Sequence, residues 1–337
     1  MRHARSFTAI VASSVMLAGC GRDMQSMLAP KGIQAEQIAG LAWLLFGFGI
    51  FVLAIVIAAT WLAIGGSARS RRILAQESTV FALGIAFPVV TLSLLLGYGV
   101  WLTRALLDTG RDQNAVSIEV VGEQWWWRVT YLAPGGTPVA SANEIRIPVA
   151  TPIAFKLRAA DVIHSFWVPS LGGKVDMIPG RTTHLRLTAE RPGTYRGQCA
   201  EYCGGAHALM ALEVVAMPAS EHAAWLQRAA MPARAPQSDI EQRGQDLFLA
   251  AGCGACHTVR GTAAAGTLGP DLTQMGARRS VGVDTMPLTR DNVVRFITDG
   301  QLVKPGNLMP EFRFLQPSEL DALAAYLLSL KATDPDG

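Results

Sequence analysis

Two long apolar stretches dominate the N-terminal third of the chain. Residues 39–64 and 78–103 contain no Asp, Glu, Lys or Arg, and each exceeds the roughly 20 residues that a helix needs to cross a bilayer. The segment between them, residues 65–77, contains three arginines. Because positive charge tends to stay on the cytoplasmic side, we expect this loop to be cytoplasmic and both ends of the hairpin to face outside. The pattern predicts a two-helix transmembrane hairpin.

A shorter apolar run, residues 7–18, follows two arginines at the N-terminus. It is too short to span a bilayer and is typical of the apolar region of a signal peptide. The run ends in Leu-Ala-Gly-Cys, which resembles the lipobox of a bacterial lipoprotein. We therefore expect removal of residues 1–19, acylation of Cys20 and an extracytoplasmic segment over residues 20–38. The alternative is an uncleaved anchor with an incidental cysteine.

After residue 104 the long apolar runs give way to short segments in which apolar and polar residues alternate. Gly and Pro separate these segments, and many short strands with such turns predict an all-β sandwich or barrel over residues 104–217. The predicted strands are 116–120, Trp125–Tyr131, Glu144–Val149, Ile153–Arg158, His184–Ala189 and Leu212–Ala216.

Helical periodicity returns in the C-terminal part. Residues 218–238 are rich in Pro and Ala and predict a linker with one short amphipathic helix. Ser238 and Glu241 have the spacing of a capping box that begins a helix. A leucine stripe predicts a closing helix near the end of an all-α domain over residues 239–331, which is followed by a tail, 332–337.

Composition agrees with a membrane protein of two or more domains. Of the 337 residues, 50% are hydrophobic and only 16% are charged. The formal net charge of +3 is too small to indicate nucleic-acid binding or any strongly charged partner. The five cysteines all fall inside motifs, so none is left over for a structural disulfide.

Twelve residues, 199–210, concentrate metal-binding side chains. They read Cys-Ala-Glu-Tyr-Cys-Gly-Gly-Ala-His-Ala-Leu-Met, and their thiolates and thioether are soft ligands that suit copper. The second half has the ligand types of a loop that holds one copper ion. The additional cysteine, Cys199, indicates that two thiolates bridge two copper ions.

Such a loop needs one further ligand from outside it. His164 is the candidate, because it stands at the end of a predicted hydrophobic strand. His184 competes with it, but lies in an alternating strand that predicts a solvent-facing side chain. His222 is interpreted as a surface residue of the short helix that follows the β-domain.

A second motif, Cys253-Gly-Ala-Cys256-His257, predicts covalent attachment of haem. Cys-x-x-Cys-His is the signature of c-type haem, with the histidine as an axial iron ligand. A redox disulfide or half of a zinc site is the alternative. Two downstream methionines, Met286 and Met309, compete for the other axial position. We favour Met309, because it directly precedes the closing helix.

In combination these motifs resemble subunit II of the haem–copper cytochrome c oxidases over residues 35–220, fused to a domain that resembles class I cytochromes c. The resemblance rests on the two-span hairpin, the 199–210 loop and three further segments. These are Gly122-Glu-Gln-Trp-Trp-Trp127, Asp161-Val-Ile-His-Ser-Phe-Trp-Val-Pro-Ser-Leu171 and Lys174-Val-Asp-Met-Ile-Pro-Gly-Arg181. It implies a multidomain protein with a Greek-key cupredoxin domain that carries a binuclear copper centre, CuA.

The resemblance also implies roles for individual residues. Trp125 is expected at the surface above the copper centre, where an electron enters. Glu201 is expected to bind copper through its carbonyl and a magnesium or manganese ion, shared with subunit I, through its carboxylate. The copper ligands implied are His164, Cys199, Glu201, Cys203, His207 and Met210.

One position departs from the family pattern. Family members commonly carry a glutamate seven residues before the proline of the second span, where this chain has Phe81. In the family that carboxylate serves the mouth of a proton channel into subunit I. Glu77, one helical turn earlier, can take this role, or protons enter differently.

The function implied is that of an oxidase subunit in a bacterial inner membrane. Electrons would pass from its own haem through CuA to subunit I, where dioxygen is reduced to water with proton pumping; subunit III and a cytochrome donor are the further expected partners. The alternatives are a nitric oxide reductase subunit that uses CuA and a non-catalytic copper-binding protein. A quinol-oxidase subunit is a further relative, but such subunits typically lack the copper ligands.

Overall fold

The computed structural model describes residues 25–107, 116–132 and 137–332. The expected signal peptide, Cys20 and the tail after residue 332 lie outside the described residues. The chain divides into two units: one comprises residues 36–111, and the other comprises residues 1–35 together with 112–337. Each unit is described by itself.

The smaller unit is helical and contains two helices long and apolar enough to cross a membrane. The candidate spans are Ile33–Gly65 and Glu77–Arg104, and no residue is buried within the apolar 18-residue stretch that identifies each of them. The helices are α1 (Ile33–Gly65), α2 (Ala68–Leu74), α3 (Glu77–Phe81) and α4 (Phe87–Leu107). The first helix begins six residues before the predicted apolar stretch, because backbone hydrogen bonding continues beyond the end of a hydrophobic run.

The second span is interrupted by a π-helical segment, Ala82–Ala86, between α3 and α4. Pro88 follows it and lacks the amide hydrogen that an α-helix would direct to the carbonyl of residue 84. A π-segment next to a proline relieves this mismatch without ending the helix. The second span therefore continues through the proline, with a local change of helix type.

The larger unit begins with two five-stranded mixed sheets whose inner faces form one buried cluster. One sheet has the order β3-β2-β1-β5-β8, and the other has the order β4-β10-β9-β6-β7. The strands are β1 (Val116–Glu123), β2 (Trp126–Leu132), β3 (Val139–Ala142), β4 (Glu144–Pro148), β5 (Ile153–Ala159), β6 (His164–Trp167), β7 (Val175–Met177), β8 (Thr183–Leu187), β9 (Gly193–Cys199) and β10 (Ala211–Met217). This is the predicted β-domain.

The six predicted strands are present within one to three residues at each end. Three strands were not predicted: β3, β7 and β9. In β9 the buried positions are Tyr195, Gly197 and Cys199, so the inward face lacks the branched aliphatic residues by which strands are recognised. His164 begins β6 rather than ending a strand, so that expectation was wrong.

The C-terminal part is helical around its own buried cluster, as predicted. Ser238 caps the first helix of this domain by accepting a hydrogen bond from the Glu241 amide at 3.4 Å. The carboxylate of Glu241 accepts from the amide of Gln237, one residue before the expected partner. The elements are α5 (Ala219–Ala230), α6 (Asp239–Ala250), α7 (Cys253–Cys256), β11 (Ser280–Val281), β12 (Met286–Pro287), α8 (Arg290–Thr298), α9 (Gly300–Val303) and α10 (Pro317–Ser329).

The interpretation of His222 as a surface residue was wrong. His222 is only 5% exposed and lies on α5 against the rings of Tyr131 and Trp225. Its Nε2 is 3.2 Å from the carbonyl oxygen of Arg146. The helix that the sequence placed in a linker therefore packs on the β-domain, and its aromatic face carries the histidine inward.

Candidate metal centre and haem-binding segment

Antiparallel pairing of β6 and β9 brings His164 to the 199–210 loop. Phe166 pairs with Cys199, so the first residue of β6 and the last residue of β9 lie at the same end of the sheet. The loop then returns to the sheet in β10, and the amide of Cys199 donates to the carbonyl of Met210 at 2.8 Å. The register of these two strands therefore places His164 near Cys199, which lies 35 residues later in the sequence.

The sulfur and nitrogen atoms of the predicted copper ligands converge. The Sγ atoms of Cys199 and Cys203 are 3.7 Å apart, much longer than the roughly 2.05 Å of a disulfide. Nδ1 of His164 lies 3.8 Å from Sγ of Cys199, and Nδ1 of His207 lies 3.5 Å from Sγ of Cys203. Each thiol therefore has its own imidazole.

Two weaker donors complete the group. Sδ of Met210 is 3.8 Å from Sγ of Cys203, and the carbonyl oxygen of Glu201 is 3.2 Å from Sγ of Cys199. The side chains of His164, Cys199, Cys203 and Met210 are all buried. His207 is half-buried. This set of two thiols, two imidazoles, a thioether and a carbonyl fits soft or borderline cations such as copper.

The ring of His164 is oriented from behind by Asp161. Oδ1 of Asp161 is 2.8 Å from Nε2 of His164, which leaves Nδ1 toward the sulfur. Burial alone would lower the pKa of His164, but hydrogen bonds with Cys199 and Asp161 outweigh it and raise the pKa. The sequence motif contains Asp161, but this role was not predicted. The available signal was a carboxylate three residues before a proposed ligand histidine, since ligand histidines commonly donate their other ring nitrogen to a carboxylate.

A hydrogen bond joins the two thiols, whose Sγ atoms are 3.7 Å apart. It lowers the pKa of Cys199 to about 3 and raises the pKa of Cys203. Since metals bind the thiolate form, one of the two sulfurs is held ready for a cation, and the second would lose its proton on binding.

Trp125 lies directly over this loop. Its Nε1 donates to the carbonyl of Cys203 at 2.9 Å, and the side chain of Gln124 donates to the same oxygen at 2.7 Å. Trp125 is half-buried, whereas Trp127 is completely buried. Trp126 is also half-buried, so exposure alone does not single out Trp125 within the run.

Two predicted carboxylates are exposed. Oε2 of Glu201 is 3.7 Å from Nζ of Lys174, with the Glu201 side chain 44% accessible. Glu77 occupies the first turn of α3, and Phe81 is the last residue of that helix. They are four residues apart, so they lie on the same helical face.

The haem motif forms a single turn, Cys253–Cys256, with both thiols half-buried. Nδ1 of His257 donates to the carbonyl of Pro270 at 2.8 Å, because a carbonyl can only accept. Nε2 is therefore the nitrogen left for iron. Burial lowers the pKa of His257, which keeps the ring neutral as a metal ligand must be.

Both candidate methionines border the same buried cluster as Cys253. Met286 lies in the β11–β12 hairpin, and Met309 lies in the loop before α10. The amide of Met309 donates to Oδ1 of Asn307 at 3.0 Å. Both side chains are half-buried, so burial alone does not separate them.

The sequence matches two protein families along its length. Residues 132–217 match the family described as "Cytochrome C oxidase subunit II, periplasmic domain", and residues 241–331 match the family "Cytochrome c". These families account for the cupredoxin-type β-domain and the helical cytochrome c domain.

Individual relatives extend over nearly the whole chain. "Cytochrome c oxidase subunit 2" of Alkalihalophilus pseudofirmus is 32% identical over 332 residues, which is 95% of each protein. The protein of the same name from Bacillus subtilis is 29% identical and covers 98% of this chain and 99% of its own length. A crystal structure of the periplasmic domain of subunit II of cytochrome oxidase from Bradyrhizobium japonicum is 33% identical over 34% of this chain and 92% of its own, with a TM-score of 0.32.

Proposed function

Because the chain belongs to the cytochrome c oxidase subunit II family, with a cytochrome c domain at its C-terminus, we propose that it is the electron-input subunit of a bacterial oxidase. With its cofactors bound, it would carry electrons from a covalent haem c through CuA to subunit I, where dioxygen is reduced to water with proton pumping. The observation that carries the proposal is the buried pair of thiols at 3.7 Å, each with its own imidazole.

The proposed copper ligands have two kinds of task. Cys199 and Cys203 would together hold two copper ions as thiolates, and His164 and His207 would each supply Nδ1 to one of them. Met210 and the carbonyl of Glu201 would be weaker ligands. All of these ligands except His164 lie on the 199–210 loop, which is held at both ends by strands β9 and β10, and this limits movement when an electron arrives. Trp125 is the proposed residue through which an electron enters the copper site.

The proposed haem ligands belong to the C-terminal domain. Cys253 and Cys256 would form the covalent links to the haem, while His257 and Met309 would be its iron ligands. The carbonyl of Pro270 fixes the ring of His257. The position of Met309 in the loop before the closing helix is the reason for preferring it to Met286.

Two carboxylates extend the proposal toward subunit I. Glu201, exposed beside Lys174, would contribute to a magnesium or manganese site completed by subunit I, since a hard cation favours carboxylate ligands. Glu77, on the same helical face as Phe81, would serve the mouth of a proton path.

The chain is a membrane protein with extracytoplasmic domains, and it associates with other oxidase subunits. We propose the bacterial inner membrane as its location, Cys20 as a lipid attachment site, and subunit III and an upstream cytochrome c as further partners. The arginine-rich loop between the spans supports a cytoplasmic hairpin connection.

An anaerobic titration of the full chain tests the relay. The haem is reduced with substoichiometric dithionite, and the copper signal is followed as electrons redistribute. Loss of the copper signal in step with reoxidation of the haem is expected. Persistence of reduced haem beside oxidised copper would contradict the relay. Uptake of dioxygen rather than nitric oxide by the assembled complex tests the terminal acceptor.

A further inference from the structure

Lys304 is a buried lysine between the cytochrome domain and the copper loop. It is 2% exposed, although lysine is rarely buried unless its amine is hydrogen-bonded. Its Nζ donates to the carbonyl of Trp125 and to the carbonyl of Leu209, the latter at 3.0 Å. Both acceptors belong to the β-domain, whereas Lys304 follows α9 of the cytochrome domain.

The two acceptors lie at the copper ligands. Leu209 directly precedes Met210, and Trp125 is hydrogen-bonded through its indole to the carbonyl of Cys203. The amine of Lys304 therefore joins the tryptophan and the end of the copper loop in one set of hydrogen bonds.

On the cytochrome side, a network of hydrogen bonds fixes Lys304 relative to Met309. The side-chain amide of Asn307 donates to the carbonyl of Lys304 at 2.8 Å, and its oxygen accepts from the amide of Met309 at 3.0 Å. Gln301 donates to the carbonyl of Asn307 at 2.7 Å and accepts from the amide of Gly306 at 2.8 Å. A displacement of Lys304 would consequently move the methionine loop with it.

Gly306 brings this loop against the ring of Trp125. A Cβ at Gly306 would lie 3.1 Å from Cη2 of Trp125, and the φ of Gly306 is +81°. Glycine is the residue that adopts this conformation and leaves room for the indole. The loop thus covers the tryptophan from the side of the cytochrome domain.

Two ion pairs between the two domains are more accessible than this lysine. Arg279 pairs with Glu213 at 3.0 Å, and Arg196 pairs with Asp284 at 2.8 Å, with the arginine side chains 55% and 33% accessible. Each exposed ion pair of this kind contributes little to the stability of the domain contact, and its attraction weakens as the salt concentration rises. Lys304 differs because its hydrogen bonds are shielded from water.

From these contacts we propose that Lys304 is a positioning residue that holds the Met309 loop against Trp125 and so sets the rate of electron exchange between the haem and copper sites. The inference rests on the proposed function, because it requires both cofactors on this chain. Electron-transfer rates fall steeply with separation, so a small displacement of the domain produces a large loss of rate. Neither cofactor is bound by Lys304 itself.

The test compares the full-length variants Lys304→Met and Lys331→Met. Lys331 is an exposed lysine of the same domain and serves as the matched control. Hydrogen–deuterium exchange of the metal-free chains is the first measurement. In K304M, exchange at residues 203–210 and 300–309 should rise at least about tenfold, since two shielded hydrogen bonds are lost. Hydrogen–deuterium exchange of these residues in K304M at the same rate as in K331M would overturn the inference.

The second measurement is the rate of haem-to-copper electron exchange in the loaded full chain after flash reduction. K304M should slow this exchange about tenfold or more, while the haem absorption and copper EPR signals stay unchanged. Electron exchange in K304M should also slow further at high salt, because the domain contact then relies more on the exposed ion pairs. An unchanged rate would reject the role of Lys304 but leave the relay intact.

Gly306→Ala is a second perturbation of the same contact. Its new methyl group would press on the indole of Trp125, so slower electron exchange between haem and copper is expected without any change at Lys304. If K304M does not fold, G306A decides: a wild-type rate of electron exchange in G306A would overturn the inference. Absence of electron exchange in the wild-type chain with both cofactors bound would overturn the inference and the relay together.

Discussion

Asp161 shows how a single residue outside the ligand set controls the proposed copper site. Its carboxylate contacts Nε2 of His164 at 2.8 Å, and it also accepts the backbone amide of Gln124 at 2.6 Å. It therefore ties the ligand histidine to the segment that carries Trp125. Residues that orient a ligand in this way contribute substantially to metal affinity.

Replacement of Asp161 by Ala should reduce copper affinity about 10- to 100-fold, because His164 loses its orienting partner. Competition with a copper chelator, followed by EPR, measures the change. Glu190→Ala removes an exposed carboxylate of the same domain and should leave affinity unchanged. Equal affinity in D161A and E190A would contradict the proposed role.

The axial iron ligand is tested by two methionine variants. Met309→Ala should abolish the iron–sulfur charge-transfer band of the oxidised haem, since the ligand sulfur is removed. Met286→Ala should retain the band. Retention in M309A together with loss in M286A would transfer the assignment to the β11–β12 hairpin.

His222 predicts an acid-sensitive component of stability. Burial lowers its pKa, and the hydrogen bond to the Arg146 carbonyl only partly offsets this effect. The unfolded chain therefore binds a proton near pH 6.5 that the folded chain does not. This contribution to stability is present above pH 6.5 and is lost as pH falls from 6.5 toward the lower folded pKa, by at most about 1.4 kcal/mol per pH unit.

Urea unfolding of the full chain at pH 7.5 and pH 5.5 measures this dependence. His222→Gln should show a smaller loss of stability at pH 5.5 than the wild type, because no proton is taken up at this position. His184→Gln changes an exposed histidine and should retain the wild-type loss. The same pH dependence in H222Q and the wild type would refute the assignment.

At the scale of elements, long apolar runs and closely spaced motifs were predictable, whereas contacts between distant segments were not. The two spans and the cysteine motifs are local patterns that one stretch of sequence contains. Strand β9 escaped prediction because its inward residues are Tyr, Gly and Cys. His222 was misplaced because its aromatic partner Tyr131 lies 91 residues earlier in the sequence, beyond any helical or strand periodicity.

The residues of the candidate site likewise fall into those that the sequence predicted and those that only the structure shows. The loop of residues 199–210 was visible as a motif, and His164 was inferred because that loop needed another ligand. The sequence did not indicate the position of Lys304. Its hydrogen-bond acceptors are the backbone carbonyls of Trp125 and Leu209, and every residue has a backbone carbonyl. Only the folded arrangement of the two domains identifies it.

Helix α6, which leads to the haem motif, depends on its N-terminal cap. Ser238→Ala removes the acceptor for the Glu241 amide and should cost about 1 kcal/mol. Hydrogen exchange of amides 239–245 should rise about fivefold. Ser318→Ala changes an exposed serine in the first turn of α10 and should have little effect. Equal exchange at 239–245 in S238A and the wild type would show that the cap is dispensable.

The whole molecule joins a membrane hairpin, a cupredoxin domain and a cytochrome c domain on one chain. The two extracytoplasmic domains share buried contacts: Val283 of the cytochrome domain belongs to the β-domain's apolar cluster. Lys304 and Gly306 bring the methionine loop to Trp125. The fused cytochrome therefore lies against the residue through which electrons are proposed to enter, which makes it the proposed immediate donor.

The most direct test of two redox sites on this chain is a combined EPR and absorption spectrum of the full-length protein after loading with copper and haem. A mixed-valence signal from two coppers that share one electron, together with a c-type haem spectrum, is the predicted result. A hyperfine pattern from a single copper, or a spectrum without covalently bound haem, would contradict the account.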